Sequence, residues 1–113
     1  MPITADLIRG HTETIILAHL SNRDSYGYEV NKSISEKSGG RYELKEATLY
    51  GAFRRLEEAG CIESFWGDET TGARRRYYRI TARGREALRE NLDEWGETKK
   101  IIDILIRTEG EQI

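Results

Sequence analysis

The chain has 113 residues, a mass of 13.0 kDa and a formal charge of −2, which suits one small domain and leaves no room for a second hydrophobic core. Its longest uninterrupted apolar run has four residues, Ile15 to Ala18, whereas a transmembrane helix needs about 20. The N-terminus lacks a basic segment followed by an apolar one, so we expect a cytoplasmic protein without a membrane anchor. The single cysteine, Cys61, excludes an internal disulfide framework and a cysteine-based zinc site.

The charge is unevenly distributed along the chain. Residues 41–85 carry ten basic and seven acidic side chains, whereas residues 86–113 carry four basic and eight acidic ones. Within the basic part, four arginines fall in six positions that contain no acid. Each guanidinium group can bind two phosphate oxygens at once, so this cluster favours a polyanion as the partner. A merely solvated basic surface is the alternative interpretation.

Two helices are predicted in the N-terminal part. Apolar residues recur at three- and four-residue steps over residues 5–21, which predicts a first helix with a broad apolar surface. A polar turn follows at residues 21–24. Ser25 is the predicted N-cap of a second helix, which runs to Ser38 and ends at two glycines.

A third helix is predicted over residues 45–59, where Leu49, Phe53 and Leu56 share one apolar face. From Ile62 the pattern changes to alternation, so residues 62–66 and 76–80 are predicted strands and residues 67–73 a polar turn between them.

Thr81 is the predicted N-cap of a final helix from Ala82 to about Arg107, roughly 39 Å long at 1.5 Å per residue. Its apolar stripe follows a 3.5-residue period that is interrupted at Lys99. The helix is too long for the rest of this small domain to cover, so the stripe indicates a partner. The stripe consists of Leu88, Leu92, Trp95, Ile102 and Ile106.

Three helices followed by a hairpin predict a mainly α fold with a small β-hairpin: a winged helix-turn-helix over residues 1–81 and a C-terminal dimerisation helix over residues 82–113. In such folds the third helix enters the major groove of DNA and the hairpin, or wing, contacts phosphates or the minor groove. Lys45, Thr48, Tyr50 and Arg54 lie on the third helix where they could meet bases or phosphates. The alternative is that Tyr50 and Arg54 are ordinary solvated helix residues.

Several linked motifs resemble the PadR family of bacterial transcriptional regulators, over about residues 7–107. The matching segments are Leu44-Lys45-Glu46-Ala47-Thr48-Leu49-Tyr50, Arg55-Leu56-Glu57-Glu58-Ala59-Gly60, Trp66-Gly67, Arg74-Arg75-Arg76-Tyr77-Tyr78-Arg79-Ile80-Thr81 and Asp24-Ser25-Tyr26-Gly27-Tyr28-Glu29. The resemblance implies a homodimeric repressor that binds a double-stranded DNA operator and releases it on a signal. It assigns recognition to Lys45, Thr48 and Tyr50, and phosphate contacts to Tyr26, Arg54, Arg74, Arg75 and Arg76.

Trp95, in the middle of the last helix, has two interpretations. It is either the core of a dimer interface or a platform for a planar aromatic ligand, because the sequence is similar to the multidrug-binding branch of the small PadR regulators. In that second interpretation Lys99, one turn further on, disfavours cationic ligands and favours neutral or anionic ones. The expected ligand-binding residues are Leu7, Gly10, Thr14, Leu17, Leu88, Leu92, Trp95, Thr98, Lys99 and Ile102.

No catalytic or metal-binding constellation is predicted, and no cofactor. His11 and His19 are roughly 12 Å apart by helix rise, too far to share a metal. Cys61 is most simply a small core residue, with a redox switch as the alternative. Two other function classes stay open: a winged-helix module that binds an acidic protein, and a small-molecule receptor without operator binding.

Overall fold

The computed structural model describes residues 4–67 and 74–108. Over these ranges the chain is mainly helical with one small antiparallel sheet, which confirms the predicted fold class. In chain order the elements are α1 (Ala5–Ile8), a 3-10 turn (Arg9–His11), α2 (Thr12–Asn22), β1 (Ser25–Tyr26), α3 (Gly27–Lys37), α4 (Glu46–Glu58), β2 (Ile62–Trp66), β3 (Arg76–Ile80) and α5 (Ala82–Ile106).

The helix predicted over residues 5–21 is divided in the structure into α1, a 3-10 turn and α2. Ile8 and His11 have φ values of −109° and −112° with ψ near zero, and the backbone between them tightens into a 3-10 turn. Gly10 lies in that turn, and glycine has the lowest helix propensity after proline.

The predicted N-cap of the second helix was wrong. Ser25 pairs with Tyr78 in the sheet, and α3 begins two residues later, with Tyr26 as its N-cap. The Tyr26 amide donates to Glu29 Oε1 at 3.3 Å. The Glu29 carboxylate therefore satisfies the backbone N–H of the N-cap residue at the start of α3.

The sheet has the strand order β1-β3-β2. The predicted hairpin of β2 and β3 is confirmed, and its register pairs Phe65 with Tyr77 and Ile62 with Ile80. The third strand, β1, was not predicted because two residues are too few for a period-2 pattern. Of the predicted turn, Gly67 donates its amide to the Arg75 carbonyl at 2.8 Å, and residues 68–73 lie outside the described residues.

The hydrophobic core lies between α2, α3, α4 and the inner face of the sheet. Phe53, 1% exposed, is its centre and stacks on Tyr78 with ring centroids 3.9 Å apart. The start of α5 closes this core. The Thr81 hydroxyl accepts a hydrogen bond from the Gly84 amide at 3.1 Å, so the predicted cap is confirmed.

Among the described residues, the first half of α5 is the part that packs against the other elements. Asn91 Nδ2 donates to the Thr14 hydroxyl of α2 at 3.0 Å, and the edge of His11 meets the Trp95 ring. Beyond this point the helix carries a run of exposed apolar side chains: Ile101, Ile102, Ile104, Leu105 and Ile106. Among the described helices, none is long and apolar enough to cross a membrane.

Candidate nucleic-acid interface

The N-terminal end of α4 is presented to solvent by a fixed turn. Asn31 of α3 donates to the Leu44 carbonyl at 2.7 Å and accepts from the Leu44 amide at 2.8 Å. Leu44 is buried, whereas the residues after it, Lys45 to Thr48, are exposed. The two hydrogen bonds therefore set where α4 begins and which residues stand at its open end.

Tyr50 links α4 to the start of α3. It is 44% exposed, and its hydroxyl end lies so close to Gly27 that a Cβ at that position would meet the ring atom Cζ at 2.9 Å. Arg54 follows one turn later on the same face and is exposed. Within residues 4–67 and 74–108, Arg54 makes no ion pair, so its charge is available to an external anion.

Two arginines of the wing lie against aromatic rings. The guanidinium of Arg74 is 5.5 Å from the Trp66 ring centroid, and that of Arg75 is 4.9 Å from the Tyr26 ring centroid. Tyr26 also stacks on Tyr28. Cation–π contacts of this kind hold the planar groups in place, and both arginines remain exposed at the surface.

The α4 and wing residues form one continuous surface. Tyr50 of α4 contacts Gly27, the residue after Tyr26, and Tyr26 lies under Arg75. The structure therefore brings together, on one side of the molecule, the N-terminal half of α4, the start of α3 and the base of the wing.

Arg76 and Arg79 of the cluster form ion pairs with acidic residues. Arg76 Nη2 lies 3.2 Å from Glu57 Oε1. Arg79 Nε lies 3.1 Å from Asp24 Oδ2, and its Nη1 lies 3.7 Å from Glu63 Oε1. Acids distant along the chain therefore pair with Arg76 and Arg79, although residues 74–79 themselves contain no acid.

His19 of α2 contacts strand β1 through a hydrogen bond. Its Nε2 lies 2.8 Å from the hydroxyl of Ser25, which is fully buried. Burial lowers the pKa of His19, and the nearby charges of Lys37 and Arg23 lower it further. The neutral ring therefore holds Ser25, and with it the strand that leads into Tyr26.

Comparison with known proteins identifies the family. The profile of the PadR-like family of transcriptional regulators matches residues 16–90, from α2 into α5. The chain belongs to the PadR-like family of transcriptional regulators. PadR regulators bind DNA and are not enzymes, which confirms the predicted function class at that level.

Relatives match over almost the whole chain. A solved transcriptional regulator from Clostridium thermocellum is 48% identical with a TM-score of 0.85, covering 93% of this chain and 99% of that one. A PadR family transcription regulator from Clostridium difficile is 33% identical with a TM-score of 0.77, covering 86% and 99%. An uncharacterized protein from Lysinibacillus sphaericus is 44% identical over 104 residues, which are 92% of this chain and 95% of that protein.

Three residues of this PadR surface escaped the sequence analysis. Trp66 and Tyr28 are 58% and 66% exposed beside the wing arginines and Tyr26, and Asn31 holds the turn before α4. Trp66 lies at the end of a strand, where an aromatic looks like a core residue. Tyr28 lies in the first turn of α3, and Asn31 acts on a carbonyl 13 residues away. Neither role has a local sequence signal.

A second candidate site of this PadR chain is an open groove of about 440 Å³ between α1, α2 and α5. Four of the predicted ligand-binding residues line it: Leu7, Thr14, Leu92 and Trp95. Lys99 and Ile102 line an adjoining depression of about 480 Å³ that shares Trp95. Lys99 Nζ lies 5.7 Å from the Trp95 ring centroid.

The remaining predicted ligand-binding residues lie elsewhere. Leu17 and Leu88, 1% and 9% exposed, belong to the hydrophobic core of the domain and line neither cavity. Gly10 and Thr98 are exposed but line neither cavity.

Proposed function

We propose that this PadR regulator is a homodimeric repressor that binds an operator through α4 and the wing. The observation that carries the proposal is the continuous surface that joins Tyr50, Tyr26 and Arg75. Arg54, on the same helix face as Tyr50, makes no ion pair within residues 4–67 and 74–108. Phosphate contacts supply affinity and register, whereas base contacts supply sequence preference.

Within this proposal the residues divide into two roles. Lys45, Thr48 and Tyr50 stand at the end of α4 that enters a major groove in winged helix-turn-helix proteins, so they read base edges. The phosphate contacts come from Tyr26, Arg54, Arg74 and Arg75, and the exposed Trp66 packs on the sugar-phosphate backbone beside Arg74.

The second half of α5 supports a homodimer. Its exposed isoleucines and Leu105 form an apolar surface on a helix that leaves the body of the domain, and such surfaces mark protein contacts. A second copy of the chain offers the same stripe and buries both. A twofold dimer on an inverted repeat places its two α4 helices about 34–36 Å apart, one turn of B-DNA.

The Trp95 groove is the proposed site of the releasing ligand. Its apolar walls and the open indole ring suit a planar aromatic molecule. Lys99 beside the ring adds a positive charge, so the groove prefers neutral or anionic aromatics over cationic ones. A ligand there lies between α1, α2 and α5, and it therefore acts on the elements that orient one copy against the other.

Operator binding is tested by fluorescence anisotropy with a labelled duplex from the region upstream of the protein's own gene and a scrambled duplex of equal length. Neutralising about eight phosphates predicts a slope of log K against log salt near −7. We expect preference for the upstream duplex and weaker binding by Arg54→Gln and Arg75→Ala. Arg83→Gln is the matched control, because Arg83 lies beside Gly60 at the opposite end of α4.

Equal affinity for both duplexes at every salt concentration would disprove sequence-specific repression. Absence of any duplex binding at low salt would instead indicate that the basic surface binds an acidic protein or that the chain is a receptor without an operator.

Ligand binding is tested by fluorescence in a Trp66→Phe background, in which Trp95 is the remaining tryptophan. We expect quenching by a planar aromatic carboxylate and weaker quenching by a planar aromatic amine of equal size. Quenching by neither compound, or equal quenching in Trp95→Ala protein with Trp66 retained, would remove the ligand site and leave the proposal for DNA binding intact.

A further inference from the structure

Arg76 is held by a network that spans three elements. Its Nη2 donates to both oxygens of Glu57 in α4, at 3.2 and 3.3 Å, and to the hydroxyl of Ser64 in β2 at 2.9 Å. Ser64 donates in turn to Glu57 Oε2 at 2.9 Å. The guanidinium also lies 5.6 Å from the ring centroid of Tyr78. Helix α4 is thereby connected to both strands of the wing.

The network pairs an arginine of the wing with an acid of α4. The Glu57 side chain is 30% exposed and that of Arg76 is 49% exposed, so the pair is partly shielded from water and its attraction is less screened than at an open surface. If Arg76 turned towards a phosphate, it would leave the Glu57 carboxylate unneutralised close to a polyanion. Arg74, by contrast, lies over the Trp66 ring.

We propose that Glu57 is a positioning residue that holds Arg76 as a strut between α4 and the wing. The strut sets the angle at which the recognition helix and the wing meet the duplex together. Arg76 therefore acts through geometry rather than as a phosphate contact, in contrast to the role that the family resemblance assigns to it. The inference rests on the proposed DNA-binding function.

The salt dependence of duplex binding separates a strut from a phosphate contact. Loss of one phosphate contact per chain makes the slope of log K against log salt shallower by about 1.8 in a dimer. The drop in affinity between 50 and 200 mM salt then becomes about 12-fold smaller. We therefore expect Arg54→Gln to flatten the slope. We expect Arg76→Gln and Glu57→Ala to weaken binding by the same factor at both salt concentrations, with the slope of the wild-type protein.

The double variant gives a second criterion. Because either substitution alone breaks the strut, Arg76→Gln combined with Glu57→Ala should bind no more weakly than the single variants, within about twofold, as coupled residues in a double-mutant cycle do. A flattened slope for Arg76→Gln would overturn the proposal, since it means that Arg76 contacts phosphate in the wild-type protein. Tighter binding by Glu57→Ala would also overturn it, since it means that Arg76 binds phosphate when Glu57 no longer holds it.

Amide hydrogen exchange without DNA keeps this test independent of the operator hypothesis. We expect the amides of β2 and β3 to exchange faster in both single variants, while those of α2 and α3 keep their wild-type rates. Unchanged exchange in the wing would refute the strut. If the wild-type protein binds no duplex but the wing amides respond as expected, the proposed function fails and the positioning role of Glu57 stands.

Discussion

Replacing Gly84 with alanine tests how α5 is attached to the rest of the domain. A Cβ at Gly84 would overlap the Cys61 carbonyl oxygen and lie 2.7 Å from Ile80 Cγ1 and 3.0 Å from the Cys61 carbonyl carbon. Gly84 is not among the glycines with positive φ, so alanine is compatible with the backbone and the effect is steric.

The size of the effect follows from two opposing contributions. Forcing a methyl group into a packed contact costs about 1–3 kcal/mol, whereas alanine improves helix propensity by up to about 1 kcal/mol. Because the main obstacle is backbone rather than a flexible side chain, the steric cost should dominate. We expect a net loss of about 1–2 kcal/mol and a Tm lower by roughly 5–10 °C.

The measurement is thermal unfolding followed by circular dichroism at one protein concentration, since the Tm of the proposed dimer depends on concentration. Gly51→Ala is the control. Its Cβ would meet only Arg55 Nη1, at an ordinary 3.6 Å, so it should raise the stability by about 0.5–1 kcal/mol. A Gly84→Ala protein as stable as wild type would show that α5 is not seated on Cys61 as described.

Three further predictions concern the core, the histidine and the groove. Phe53→Ala should lower the free energy of unfolding by about 3–5 kcal/mol, and a loss below 1 kcal/mol in urea titrations would contradict its central place. The pKa of His19 in the folded protein lies below 6.5, so its contribution to stability is complete above pH 6.5 and is lost as pH falls through the folded pKa. His19→Gln, whose amide can still reach Ser25, should remove that part of the pH dependence of the free energy of unfolding. An unchanged pH profile would refute this prediction. Lys99→Glu should reverse the charge preference of Trp95 quenching from anionic to cationic aromatics, and an unaltered preference would mean that Lys99 does not face the ligand.

The elements with strong local signals were predictable from the sequence. The third helix, the two hairpin strands and the Thr81 cap follow from periodicity and capping chemistry, which act within a few residues. The first helix was misjudged at Gly10 because its apolar pattern continues through the break. Strand β1 was missed because its two residues gain their pairing only from β3, more than 50 positions later.

The candidate site was predicted less completely than the fold. Sequence motifs selected Lys45, Tyr50 and Arg54, which all lie on the exposed end or face of α4. The arginine run, by contrast, looks uniform in the sequence, and only the folded chain shows Arg76 bound to Glu57. Leu17 was assigned to the groove because helical spacing shows which residues share a face, but not what that face packs against.

The amino-acid order was sufficient to define the family, the winged helix-turn-helix order of elements and the location of positive charge, because these depend on residue type and short-range spacing. The ion pairs of Arg76 and Arg79, and the packing of Gly84 of α5 against Cys61, depend on contacts between residues far apart in the chain. Such contacts exist only once the sheet and α4 have packed together, and packing geometry cannot be inferred from spacing alone.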